Sequence, residues 1–306
     1  MVLRTEANHL TETPMQSDTA AIGQPSSAPP APPESTLRII AMINQKGGVG
    51  KTTSAVNLGA ALSAMGQRVL LIDLDPQAHM TLHMGINPDE IELSVYHLLT
   101  YEDVTASQVA QRVNDHLTIL PAEVNLAGVE AELAPKMITG QAQRILQKKC
   151  MPLIEEGFDY VIMDCPPSLG LLTICGLILA REVVVPMQAH FLALQGLSKL
   201  LETIGFIRQS FNPDLIVSGL ILCMYEGHTI LANEVLADLT SFLEQHRELD
   251  VPWRDAQILQ PAVRRNIKLA ECPSFGQTIF DYEPTCAGAK DYRALAASFA
   301  GQKISD

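Results

Sequence analysis

Asn44-Gln45-Lys46-Gly47-Gly48-Val49-Gly50-Lys51-Thr52-Thr53 follows directly on the apolar run Arg38–Ile43 and opens a segment of helical character, Thr52–Met65. The glycines at 47, 48 and 50 let the backbone curl until its N–H groups point inward, the arrangement that cradles an anion. The helix that follows adds the positive end of its dipole. Gly47 through Thr53, Val49 included, therefore read as a phosphate loop. Lys51 is placed to neutralise β/γ-phosphate charge, and the Thr52 hydroxyl suits Mg²⁺. The ordinary Walker pattern needs glycine at position 45, where Gln45 stands, and it lacks the extra lysine that Lys46 supplies here. A glycine-rich turn that binds nothing would not require strand, loop and helix in this order.

Outward from the loop, short apolar runs alternate with helical segments. Strand character marks Arg38–Ile43, Arg68–Leu74, Leu117–Leu120, Tyr160–Met163, Val183–Val185 and Leu215–Met224. Helices are expected at Thr52–Met65, Gln141–Glu156, Leu169–Ala180, Leu194–Ser210 and Leu231–His246. This alternation predicts right-handed βαβ crossovers and an α/β fold, a P-loop NTPase with a mostly parallel central sheet covered by helices on both faces. Ligands of such sheets gather at the carboxyl ends of the strands.

Two of the apolar runs end in acids at that edge. Val69–Ile72 leads into Asp73-Leu74-Asp75-Pro76-Gln77, and Tyr160–Met163 into Asp164-Cys165-Pro166-Pro167. An apolar strand followed by aspartate is often only a strand entering a turn. Beside a phosphate loop the pair gains a role, since one carboxylate can hold Mg²⁺ while another orients the attacking water. Asp75 is assigned to the water and Asp164 to the metal side, so the expected catalytic set is Lys46, Lys51, Asp75 and Asp164, with Thr52 and Asp164 at the metal.

The chain has 306 residues, 47% of them hydrophobic and 18% charged, with a formal charge of −13. That composition is globular, and it argues against a generally basic surface without excluding a local basic patch. No cysteines are spaced as Cys-x-x-Cys, so the six thiols read as reduced residues of a cytoplasmic protein. Residues 1–36, with five prolines between Pro25 and Pro33, are expected to form a disordered leader, and 37–306 the ATPase domain. The most apolar stretch, Leu169–Ala180, is too short to span a bilayer.

Together, Asn44–Thr53, Leu71–Gln77, Asp164–Gly170, Arg265–Ser274 and Pro121–Ala127 resemble the ParA/MinD group of deviant Walker ATPases, most closely the ParA (Soj-like) partition branch. The similarity runs from about Leu37 to Phe299. The resemblance implies ATP and Mg²⁺ as ligands, and a homodimer sandwiching two nucleotides in which Lys46 reaches the partner's phosphates. It further implies non-specific binding of double-stranded DNA in the ATP state, stimulation by a ParB-type DNA-binding activator, and a cytoplasmic, nucleoid-associated protein with no membrane partner. The chain departs from the family's basic residues at His228 and Ala287.

For DNA contact the candidates are Arg264, Arg265 and Lys268, which with Arg254 lie in a stretch holding one acid, Asp255. Internal salt bridges are the competing reading of that cluster. No aromatic residues interleave with it, which favours the duplex backbone over stacked bases. Alternatives for the whole chain are a ParA-like ATPase with another cargo, a MinD-like membrane-associated ATPase, an iron–sulfur reductase and a tyrosine autokinase. The sequence after Lys290 carries few bulky apolar residues and reads as a terminal helix packed on the domain, not a membrane anchor.

Overall fold

The computed structural model describes residues 37–190 and 193–301; the expectation of a disordered leader at 1–36 lies outside them. Eight strands among the described residues form a single sheet. They are β1 (Arg38–Met42), β2 (Val69–Asp73), β3 (Gln111–Arg112), β4 (Leu117–Leu120), β5 (Tyr160–Asp164), β6 (Glu182–Met187), β7 (Ile216–Leu222) and β8 (Gln257–Leu259). Their order is β3-β4-β2-β5-β1-β6-β7-β8, and every pairing is parallel except the edge pair β3–β4. The reversal of direction in the order on either side of β1 sets the phosphate loop at the switch point, where open sheets hold ligands.

The central strands are buried on both faces, as a parallel sheet covered by helices requires. Ile39 and Ala41 of β1 join a core completed by the helices Ile145–Glu155, Leu171–Leu179, Ala193–Ser210 and Ile230–Gln245. Ile40 and Met42, one residue out of step, face the Lys51–Ala64 and Ala287–Phe299 helices. The period-two alternation of the strands thus divides one apolar run between two cores. Arg38 fixes the end of the Ala287–Phe299 helix to the far edge of the sheet. It makes two hydrogen bonds to Glu182 and donates to the Phe299 carbonyl at 2.6 Å.

Among the described residues, no helix is long and apolar enough to cross a membrane. The residues after Lys290 lie in the packed Ala287–Phe299 helix as far as Phe299.

Candidate nucleotide-binding site

β1 hands the chain to Asn44, whose amide nitrogen donates to the Pro186 carbonyl of β6 at 2.8 Å and whose side-chain oxygen accepts the Lys46 N–H at 3.0 Å. One residue therefore ties the start of the loop to the neighbouring strand and turns it. Gly48 (φ 70°) and Gly50 (φ 95°) then take left-handed conformations open to glycine at little cost. A Cβ at Gly47 or Gly48 would meet nothing within 4 Å, so space is open there, whereas one at Gly50 would press on Cys223 Sγ.

The Lys51–Ala64 helix begins at Gly50 with no side-chain cap and no acid in its first turn. Its free N–H groups and positive dipole are left uncompensated by the protein, which favours an anionic ligand. Lys51 is buried, 7% exposed, and makes no ion pair among the described residues. Burying an unpaired ammonium is costly, and a phosphate would relieve the cost. Lys46 is exposed and likewise unpaired among the described residues. The two lysines of the loop thus occupy different environments.

Asp164 and Asp73 end neighbouring strands in register. Asp164 is fully buried; its Oδ2 accepts the Thr52 hydroxyl at 2.5 Å, and its Oδ1 is buried without a hydrogen-bond partner. Burial, and next the charge of Asp73, push the Asp164 carboxyl up to about 8, against the pull of Thr52 and Lys51. An orphaned buried carboxylate oxygen beside a hydroxyl is a hard-oxygen pair that fits Mg²⁺, which commonly completes its shell with water and phosphate oxygens. No group of three or more His, Cys, Asp or Glu residues suited to a metal occurs among the described residues.

Asp73 differs. Its oxygens accept the Asp75 N–H at 3.1 Å, the Thr81 N–H at 2.9 Å and the Thr81 hydroxyl at 2.7 Å. Burial raises it to about 7 while those hydrogen bonds pull it down. It holds the turn after β2 together. Asp75, 8% exposed, is oriented by the Gln77 N–H on its Oδ1 at 3.0 Å, and its charge adds to the upward push on Asp73 and Asp164. The acids at the two strand ends are therefore brought together, but Asp73 accepts three hydrogen bonds from the turn and Asp75 one.

Beyond the loop lies a cavity of about 340 Å³, mostly apolar, lined by Gly50, Thr53, Cys223, Val263, Asn266 and Tyr292 among others. Sequence reasoning did not find it, because its walls come from four separate segments. Arg264 and Arg265 also line it. Each cationic candidate for DNA has a carboxylate partner. Arg264 forks onto Asp291, its Nη2 at 2.6 Å; Arg265 meets Glu226 at 3.3 Å, and Lys268 meets Glu271 at 2.8 Å. Arg265 keeps a side chain 75% exposed.

A family model described as an AAA domain (AAA_31) matches residues 37–217. The sporulation initiation inhibitor protein Soj of Bacillus subtilis is 38% identical over 263 residues, covering 86% of this chain and 98% of that protein. The chromosome-partitioning ATPase Soj of Thermus thermophilus is 42% identical over 260 residues, 85% of this chain and 94% of that one. The chain belongs to the ParA/Soj family of P-loop ATPases. Among solved structures, a Mycobacterium smegmatis protein named cobyrinic acid a,c-diamide synthase, with bound ATP analogue and magnesium, superposes with a TM-score of 0.71 at 37% identity, over 86% of this chain and 94% of that one. MinD of Pyrococcus horikoshii, complexed with Mg-ADP, shares the fold at a TM-score of 0.65 and 22% identity, over 86% of this chain and 96% of that one.

ATP and Mg²⁺ are accordingly the ligands of this ParA/Soj ATPase, and the open glycine cradle, the buried Lys51 and the Thr52–Asp164 oxygen pair fit them. All six cysteines are free thiols, five of them buried.

Proposed function

We propose that this ATPase is a partition motor. Two ATP-bound copies dimerise, the dimer holds duplex DNA of any sequence, and a ParB-type protein bound to the cargo locus stimulates hydrolysis, in the cytoplasm at the nucleoid. Gly47–Thr53 hold the phosphates by backbone N–H groups, and Lys51 neutralises them. Thr52 and Asp164 would hold Mg²⁺, which would supply Lewis-acid charge to the phosphates. Asp75, oriented by the Gln77 N–H, places the attacking water. The apolar cavity beside Thr53 receives the base.

The observation that carries this reading is the contrast between the loop lysines. Lys51 is buried within its own loop, whereas Lys46 is exposed and unpaired among the described residues, free to serve a phosphate on a second copy. Arg264, Arg265 and Lys268 are the DNA contacts, with Arg265 foremost because its pair with Glu226 is long and exposed and exchanges for phosphate at small cost. Similarity to proteins named for chromosome partitioning supports the cargo.

Binding to duplex DNA and to anionic vesicles, each measured with ATP, with ADP and without nucleotide, tests the proposal. ATP-dependent binding to DNA alone is expected. Binding to vesicles in place of DNA overturns it in favour of a membrane matrix.

A further inference from the structure

The Pro121–Ala127 segment, prominent in the sequence, holds none of the nucleotide-site residues, yet the chain from Pro121 to Glu130 crosses the carboxyl edge of the sheet. Leaving β4, it is anchored where the Pro121 carbonyl accepts the Val95 N–H at 2.8 Å and Glu123 accepts the Ser94 hydroxyl at 2.8 Å. Over β2, the Ala122 N–H donates to the Thr81 hydroxyl at 2.9 Å, the same hydroxyl that donates to Asp73. At its far end Glu130 Oε1 accepts the N–H of Leu171 at 2.6 Å. Leu171 opens the helix that follows the Asp164 exit loop.

That helix has no cap of its own. Gly170 supplies no side chain and no acid lies in the first turn, so its N–H groups need a partner from elsewhere. Glu130 brings an acceptor and a negative charge to the positive end of the dipole. Gly170 is matched to it. Its backbone is extended (φ −79°, ψ −170°) and would tolerate any residue, but a Cβ there would collide with Glu130 Oε1. Asp164 and its exit loop are held besides by the Leu74 N–H on the Asp164 carbonyl at 3.0 Å, the Cys165 N–H on the Met42 carbonyl at 3.2 Å and the Thr173 hydroxyl on the Ser168 carbonyl at 2.6 Å.

We propose that Glu130 is a positioning residue of the ATPase, setting the Asp164 exit loop by capping the helix behind it and coupling that loop to the strap over Asp73. The inference rests on the reading of Asp164 as a metal-side ligand. Glu130 touches no substrate. It acts through the Leu171 N–H on the loop that ends at Asp164.

The test is a Mg²⁺ titration of ATP hydrolysis in Glu130→Ala, Glu130→Gln, Gly170→Ala, the Glu130→Ala/Gly170→Ala double variant and Asp164→Asn, with Mg²⁺-free nucleotide affinity measured beside it. Glu130→Ala should raise half-saturating Mg²⁺ by about 10-fold, the low end for a residue that orients a metal ligand. Mg²⁺-free affinity should stay unchanged, because the glycine cradle is untouched. Glu130→Gln keeps an acceptor oxygen and should recover most of the loss. Gly170→Ala displaces the carboxylate and should reproduce Glu130→Ala, and the double variant should be no worse than either single one. If Asp164→Asn shifts the titration while Glu130→Ala and Gly170→Ala do not, or if the two losses add in the double variant, the inference fails alone. An unshifted titration in Asp164→Asn overturns the metal reading and this inference together.

Discussion

The Thr52 hydroxyl donates to Asp164 Oδ2 at 2.5 Å, joining the first turn of the loop helix to the last residue of β5. The bond spans two elements 112 residues apart in sequence and leaves Oδ1 of the same carboxylate buried and unpartnered. Two oxygens on separate elements thus bracket the place where Mg²⁺ fits. Replacing Asp164 by alanine should raise the Mg²⁺ needed for half-maximal hydrolysis by about 10-fold or more, read from a metal titration of phosphate release. An unaltered titration would remove Asp164 from the metal.

Lys51→Ala should weaken ATP binding by roughly 10²-fold, the order for a lost hydrogen bond to a charged group. Isothermal calorimetry measures this directly. Wild-type affinity in the variant would mean that the backbone cradle alone holds the phosphates.

Lys46→Ala should keep nucleotide binding by the single chain and lose the ATP-dependent dimer, since the exposed Lys46 side chain has no intramolecular partner among the described residues to lose. Size-exclusion chromatography with ATP separates the outcomes. A variant that still elutes as a dimer contradicts the cross-subunit role.

Asp75→Ala should bind ATP and hydrolyse it roughly 10²-fold more slowly, the usual scale for a water-positioning group. Single-turnover measurements isolate the chemical step. Asp73→Ala should instead lower stability, because three hydrogen bonds converge on that carboxylate and would be left without an acceptor.

Burial raises Asp73 to about 7 and Asp164 to about 8, from an ordinary value of 3.8. The fold therefore prefers both acids protonated. Their contribution to stability is complete below about pH 4, falls as pH rises, and is gone above about pH 8. Mg²⁺ held at Asp164, as proposed, would select its ionised form. Mg-ATP binding near pH 7 should accordingly release protons, seen as a calorimetric heat that changes with the ionisation enthalpy of the buffer. Asp164→Asn should reduce that release, and an unchanged release would place the titrating group elsewhere.

Much of this was legible in the sequence, for reasons that differ by element. β1, β2, β4 and β5 lie within a residue of their expected ends because continuous apolar runs define them. β6 runs through Pro186 to Met187, past the expected stop at Val185, and the proline carbonyl there accepts the Asn44 side chain. β7 ends at Leu222, before Met224 takes a left-handed φ of 50°. The Val129–Met137 helix has no counterpart among the expected elements; it holds Pro135, and the carbonyl that proline leaves without its donor belongs to the exposed Ala131. β3 and β8, of two and three residues, carry no period to read. In the site, the glycine loop and both acid-ended strands follow from local patterning. The structural tie of Asp73 does not, because it depends on Thr81, eight residues beyond it.

The sheet is bounded by its two shortest strands, β3 on one side and β8 on the other. An edge of two or three residues offers too few free backbone groups to template another chain. Copies of this protein crowded together, as the proposed partition role would require, therefore have no ready means of zipping sheet to sheet into an insoluble fibre. In the proposed dimer, contact held through nucleotide would be undone by hydrolysis, so high local occupancy would remain compatible with release.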